Sequence, residues 1–176
     1  TRFRNVTGVQ TCALPISRRT DYVSALVGRG DALVALDREA EAVEAFEAAV
    51  SRGGGRAELR RRLEVVRFRA LQRTIDEARA AAAAGRRDDA LRSYRSAIGA
   101  APESAFLYRE LASVERGAGA VDDAIGHLRK AIELDPADLA ALSELAVVLE
   151  ARGDVEGARR AYDAVLSLGE IGRAHV

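Results

Sequence analysis

The sequence predicts an all-α protein built from repeated pairs of helices. Alanine is abundant and aromatic residues make up only 5% of the chain, so strand-forming residues are sparse. A pattern of small residues, turn glycines and prolines also recurs with a period of 34 residues. Such a period is typical of an array in which each repeat is one helical hairpin that stacks on its neighbours.

The prolines mark where new repeats begin. Pro102 and Pro136 are 34 residues apart, and proline cannot continue a helix interior. The four repeats lie near residues 23–56, 71–104, 105–138 and 139–168. Helices are predicted near residues 20–36, 39–52, 57–84, 87–100, 104–117, 121–134, 138–151 and 155–168.

Small side chains recur at the eighth and twentieth places of each repeat, where the two helices of a hairpin are expected to cross. A larger side chain there would push the helices apart. The four pairs are Gly30 with Ala42, Ala78 with Ala90, Ala112 with Ala124, and Ala146 with Ala158. Bulky residues at the twenty-fourth place are expected to fill the space beside each crossing, and these are Phe46, Tyr94, Leu128 and Tyr162.

Glycines separate the two helices of the last three repeats. Gly85, Gly119 and Gly153 are expected to end each first helix in a left-handed conformation. Acidic residues follow them, which places negative charge at the positive end of the second helix. These acidic residues are Asp88, Asp89, Asp122, Asp123 and Glu156.

With this period, these small positions and these turn glycines, residues 17–169 resemble the tetratricopeptide repeat (TPR) family, whose repeat is a helix-turn-helix of 34 residues. The resemblance implies an α-solenoid of about four repeats wound into a right-handed superhelix. It also implies an extended concave surface that binds other proteins.

The second repeat departs from the family pattern through an insertion at residues 57–70, AELRRRLEVVRFRA. Its apolar residues fall at helical spacing, which predicts a lengthened first helix rather than a loop. These residues are Leu59, Leu63, Val66 and Ala70.

The arginines of this insertion have two readings. Arg60 with Glu64, and Glu58 with Arg62, have the spacing of ion pairs on one helix. This spacing favours the interpretation that the arginines lie on a solvent-exposed face with paired charges. A contact surface for an acidic partner is the alternative.

Both chain ends have an unexpected origin. Residues 6–16, VTGVQTCALPI, back-translate to the adaptor used in short-read DNA sequencing, and IGRAHV at residues 171–176 matches its reverse complement. Residues 1–16 and 170–176 are therefore expected to be non-native, with the first segment disordered. This interpretation removes Cys12 and His175 from the functional inventory, and it marks the chain as a fragment, for which we expect a bacterial, metagenomic source.

The remaining residues offer little catalytic chemistry. His127 is the one histidine left, and no cysteine or second histidine could complete a metal site. We therefore expect no catalytic residue, no metal and no cofactor. Balanced charge, with 27 basic and 27 acidic residues, argues against a nucleic-acid partner. No apolar run approaches the length needed to cross a bilayer, so we expect no membrane contact.

Binding is the chemistry that remains. The resemblance implies that the first helix of each repeat lines the concave face. An arginine could grip a carboxylate and an exposed aromatic could anchor an apolar side chain, so an acidic or C-terminal peptide is the expected ligand. The candidate peptide-binding residues are Gln72, Ile75, Arg79, Phe106, Arg109, Ser113, Arg116, Ser143, Val147 and Glu150.

The predicted function is a non-catalytic protein–protein interaction scaffold. An accessory TPR segment of a larger enzyme is the alternative, and an envelope or secretion assembly protein is a third. A cytoplasmic location is favoured, with a periplasmic or envelope location if a signal peptide preceded this segment. Self-association through uncapped repeat ends is also expected, because terminal repeats normally need polar caps.

Overall fold

The computed structural model describes residues 22–53 and 57–174. The adaptor-like segment expected at residues 1–16 lies outside these ranges. Within them, every regular element is an α-helix. The helices are α1 (22–35), α2 (Glu39–Gly53), α3 (Ala57–Ala83), α4 (Arg87–Ala100), α5 (Ala105–Gly117), α6 (Val121–Leu134), α7 (Leu139–Arg152) and α8 (Val155–Ala174).

The predicted all-α fold is confirmed. The lengthened helix is confirmed as well, because α3 runs for 27 residues without a break. One boundary differs from expectation. Helix α8 continues to Ala174 rather than ending near residue 168, so part of the expected tail continues the helix, with no proline in that stretch to stop it.

The chain divides into two compact bodies, an N-terminal body (Thr1–Arg73) and a C-terminal body (Thr74–Val176). In the N-terminal body, α1, α2 and the first part of α3 share one apolar core. The insertion contributes its apolar face to this core. The buried residues are Leu33, Ala42, Ala45, Phe46, Ala49, Leu59, Leu63 and Val66.

In the C-terminal body, consecutive helices pack on one another. Helix α4 contacts α5, α5 contacts α6, α6 contacts α7 and α7 contacts α8. This order is the one expected of stacked helical hairpins. A core between α5 and α8 contains Ala112, Ala124, Ile125, Leu128, Ala131, Ala141, Leu145, Val148, Leu149 and Ala158.

All eight small residues at the predicted crossings are buried, and none of the alanines among them is more than 4% exposed. Of the bulky residues beside them, Phe46, Tyr94 and Leu128 are each 1% exposed. Tyr162 differs, since it is 39% exposed on the last helix. Side-chain size at these places therefore governs packing, as the sequence pattern indicated.

The turn glycines adopt the predicted left-handed conformation, with φ of 73° at Gly85, 82° at Gly119 and 86° at Gly153. Asp37 takes the same place in the first hairpin, with φ of 55°. All four turns share one hydrogen-bond pattern. After Asp37, for example, the amide of Arg38 donates to the carbonyl of Leu33 at 2.9 Å, which closes the end of α1.

Candidate functional site

The ten predicted binding residues lie on the first helices of their hairpins: α3, α5 and α7. Gln72 belongs to the N-terminal body and the other nine belong to the C-terminal body. Ile75 is buried, so its side chain belongs to the core rather than to the surface. Phe106, Arg109, Ser113 and Ser143 are partly buried, and Gln72, Arg79, Arg116, Val147 and Glu150 are exposed.

The structure brings Phe106 together with two of the predicted arginines. The guanidinium carbon of Arg79 lies 5.2 Å from the centre of the phenyl ring, and that of Arg109 lies 5.7 Å from it. Both distances fall within the range of cation–π attraction. Two helices, α3 and α5, therefore hold a partly buried aromatic ring between positive charges.

Arg109 is already engaged with a carboxylate of its own chain. Its Nη1 donates to both carboxylate oxygens of Asp138, at 2.7 and 2.6 Å. Asp138 in turn caps α7, because its Oδ1 accepts from the amides of Ala140 and Ala141 at 3.0 Å. The pair is largely shielded from water, so Arg109 fixes the start of α7 as well as the position of Phe106.

A second network lies beside Arg79. The phenol of Tyr94 donates to Oε2 of Glu110 at 3.0 Å, and Nε of Arg79 is 3.9 Å from the same oxygen. Burial, together with the charge of Glu110 and the hydrogen bond to it, raises the pKa of Tyr94 to about 12, while Arg79 acts in the opposite direction. The phenol therefore stays protonated and orients the Glu110 carboxylate.

Glu144 was not among the predicted residues. Its Oε2 is buried and has no hydrogen-bond partner in the described part of the chain. Burial raises the pKa of this carboxyl group, Arg116 and Arg109 lower it, and Glu110 and Asp138 raise it again. One sequence signal could have found it, since Asp76, Glu110 and Glu144 follow one another at the 34-residue period.

The remaining predicted residues differ in whether their side chains already form hydrogen bonds within the chain. The hydroxyl of Ser143 donates to the carbonyl of Leu139 at 2.7 Å, and Glu150 accepts from the phenol of Tyr162 at 3.1 Å. Val147 is 48% exposed. Among the described residues, Arg116 forms no hydrogen bond or ion pair, and its charge acts on the carboxyl group of Glu144.

His127 is partly buried on α6. Its Nδ1 lies 2.7 Å from Oε2 of Glu115, and its ring stacks on Tyr108 with centroids 6.1 Å apart. Glu115 is only 1% exposed, and its other oxygen accepts from Arg95 at 3.4 Å. These contacts compensate a buried charge.

Residues 22–53 and 57–174 contain neither a metal-binding cluster nor a membrane-spanning helix. No group of three histidine, cysteine, aspartate or glutamate side chains there could hold a metal ion. None of the helices described has both the length and the apolar character of a membrane-spanning segment. The arrangement of charged and aromatic side chains around Phe106 is suited to binding another chain rather than to coordinating an ion.

Three family models, each described as tetratricopeptide repeat, match residues 23–52, 75–138 and 115–169. Together they span both compact bodies and leave the insertion on α3 unmatched. Among curated proteins, none matches this chain.

Solved structures share the fold at low sequence identity. A crystal structure of MamA is 16% identical over 98% of this chain and 99% of that one, with a TM-score of 0.56. The Sgt2 TPR domain from Aspergillus fumigatus is 23% identical over 57% and 67%, with a TM-score of 0.54. The second TPR of Spaghetti (RPAP3), bound to the HSP90 peptide SRMEEVD, is 20% identical over 56% and 91%, with a TM-score of 0.53.

Proposed function

The chain is a member of the tetratricopeptide repeat family, and we propose that it acts as a non-catalytic scaffold that binds a peptide segment of a partner protein. The binding residues are on the first helices of the hairpins in the C-terminal body. We call this surface the candidate face, and it comprises Arg79, Phe106, Arg109, Ser113, Arg116, Ser143, Val147 and Glu150.

The arrangement around Phe106 is the observation that carries the proposal. An aromatic ring held between Arg79 and Arg109 is fixed in place before any ligand arrives, which lowers the entropic cost of binding. Val147 adds exposed apolar area on α7. A peptide side chain that packs on these groups would find a rigid anchor of the kind that dominates binding energies.

The ion pairs of the candidate face indicate which arginine is available to bind the ligand. Arg109 already holds Asp138, and Arg79 lies near Glu110, whereas Arg116, whose charge acts on Glu144, forms no hydrogen bond or ion pair in the described chain. A peptide carboxylate, either of a side chain or of the C-terminus, would therefore bind Arg116 at the least cost in broken contacts.

One of the similar structures contains a bound peptide. The second TPR of Spaghetti (RPAP3) is bound to the HSP90 peptide SRMEEVD. That protein shares only the fold with this chain, so its ligand supports the class of partner and not its sequence.

A displayed library of acidic peptides with free C-termini would test the proposal. Peptides selected on the wild-type protein should lose at least tenfold in affinity for Arg116→Ala and for Phe106→Ala, because each removes a direct contact. Arg109→Ala should weaken binding too, since Arg109 holds Phe106 and the start of α7. Arg92→Ala serves as the control, because Arg92 is exposed on α4 and pairs only with Asp89.

Equal affinity for the wild type and for Arg116→Ala and Phe106→Ala would refute the candidate face. Amidating the peptide C-terminus separates the two sources of carboxylate. A large loss on amidation assigns the Arg116 contact to the terminal group, and no loss assigns it to an acidic side chain.

A further inference from the structure

The part of α3 that belongs to the N-terminal body has two contrasting faces. Leu59, Leu63 and Val66 are buried in the core. On the opposite side, Arg61, Val65, Phe68 and Arg69 are exposed. We call these four residues the outer strip of α3.

The outer strip carries two apolar side chains where a solvated helix would carry polar ones. Val65 is 54% exposed and Phe68 is 63% exposed. They are three residues apart, so their side chains are neighbours on the helix surface. A single exposed apolar residue is ordinary, whereas an adjacent pair with charged residues around it has the composition of a contact surface.

The arginines of α3 fall into two groups. Arg62 and Arg67 pair across the N-terminal body with Asp31 and Glu47, at 3.4 and 2.8 Å. Arg73 pairs with Glu39.

Arg61 and Arg69 make no ion pair among the described residues. They lie one turn before and one turn after Val65. Along this row of the helix surface, an apolar side chain is therefore flanked by two positive charges. No acidic side chain in the described ranges forms an ion pair with either of these arginines.

The strip also lies in the segment that the family models leave unmatched, between residues 52 and 75. Its side chains therefore belong to the insertion and are not part of the repeat's own pattern. A function for the strip would add to the candidate face rather than repeat it.

We propose that the outer strip docks an acidic amphipathic helix of a partner protein. Apolar residues of that helix pack on Val65 and Phe68, and its carboxylates pair with Arg61 and Arg69. The two exposed apolar side chains favour a protein over a nucleic acid, because a phosphate backbone offers no apolar group to pack on Val65 and Phe68. The equal numbers of acidic and basic residues in the chain also favour a protein partner.

A synthetic 18-residue peptide with leucine on one helical face and glutamate along its flanks is a suitable probe. We expect it to bind the wild-type protein in fluorescence anisotropy, and a peptide with lysine in place of every glutamate not to bind. Phe68→Ala and the double variant Arg61→Glu, Arg69→Glu should each raise the Kd at least tenfold. All three sites are exposed, so the variants should keep the wild-type circular dichroism spectrum and melting temperature.

Two matched variants keep this inference separate from the candidate face and from general electrostatics. Measured in a Phe106→Ala background, which disables the candidate face, the probe should still bind and should still lose affinity when Phe68→Ala is added, whereas no binding in that background would place the peptide on the candidate face instead. Arg60→Glu reverses one charge on another side of α3 and should change the Kd less than twofold, in contrast to Arg61→Glu alone, which makes the same change of charge on the strip.

Three results would overturn the proposal. The first is a wild-type protein that does not bind the acidic peptide. The second is a Phe68→Ala variant with unchanged affinity. The third is a duplex oligonucleotide that competes for the strip more strongly than the peptide does, which would make the strip a nucleic-acid contact.

Discussion

A β-carbon added to Gly30 would lie 2.8 Å from Cζ of Phe46. The other three repeats have alanine at the eighth place, beside tyrosine or leucine at the twenty-fourth. In the first hairpin the crossing residue is smaller and its neighbour is a buried phenyl ring. Glycine is therefore required at residue 30 by the ring that fills the space next to it, and not by backbone conformation.

Replacing Gly30 with alanine should lower the free energy of unfolding by about 1–3 kcal/mol, because the new methyl group overpacks the core. In an ordinary helix the same change stabilises by about 0.5–1 kcal/mol. Gly28→Ala is the matched control, since nothing lies within 4 Å of a β-carbon there, and it should stabilise. Urea unfolding measures both. Failure of a second change, Phe46→Leu, to recover part of the loss would argue against steric overlap as the cause.

Removing His127 should destabilise the C-terminal body through Glu115. Glu115 is 1% exposed, and without the imidazole it would keep only Arg95, at 3.4 Å. We expect His127→Ala to cost about 2–3 kcal/mol in thermal or urea unfolding, because a buried charge loses its nearer partner. Adding Glu115→Gln should recover part of this cost. A His127→Ala loss no larger than that of Lys130→Ala, an exposed ion-pair residue, would contradict the role assigned to the histidine.

The raised pKa of Tyr94 makes stability depend on alkaline pH. The pKa is raised from 10.0 to about 12, so the folded state holds the phenol proton more tightly than the unfolded chain does. The contribution is complete below pH 10 and is lost as pH rises towards 12, by about 2–3 kcal/mol in total. Urea titrations between pH 8 and pH 12 should show this decline.

Tyr94→Phe separates this effect from other alkaline titrations. The variant loses the hydrogen bond to Glu110, so it should be less stable by about 1 kcal/mol at pH 8. Its stability should then fall less steeply above pH 10 than that of the wild type. Parallel pH profiles for the two proteins would disprove the assignment to Tyr94.

Asp37 has the left-handed conformation that glycine supplies in the other three turns. Asp37→Gly should raise the free energy of unfolding by about 0.5–1 kcal/mol, because it removes the strain of φ at 55°. The backbone carbonyl of Asp37, which accepts from Arg73, is kept. The reverse test is Gly85→Ala, where φ is 73°, and we expect it to cost about 1–2 kcal/mol. Thermal unfolding of both variants measures the two changes in stability.

Most of the fold was predictable because it depends on side-chain size and local conformation. The alanines at the crossings and the three turn glycines recur at a fixed period, and each feature acts through its immediate neighbours. Asp37 was missed because aspartate adopts the left-handed conformation only when the surrounding turn imposes it.

The candidate site was less predictable because its contacts are distant in sequence. Arg109 and Asp138 are 29 residues apart, and helical periodicity does not show which arginine is already paired. The burial of Ile75 could not be predicted from the sequence either, because Ile75 shares a helix face with surface residues. The unsatisfied oxygen of Glu144 depends on how α5 and α7 pack around it, and no local pattern records that packing.

One carboxylate links three successive helices, since Glu115 on α5 contacts Arg95 on α4 and His127 on α6. In a linear array each repeat interacts with its nearest neighbours alone, and separate segments can melt at different temperatures. A group shared by three helices raises the energetic penalty for opening any one of them by itself. Amide hydrogen exchange across residues 87–134 should therefore proceed through a single collective opening rather than through helix-by-helix fraying.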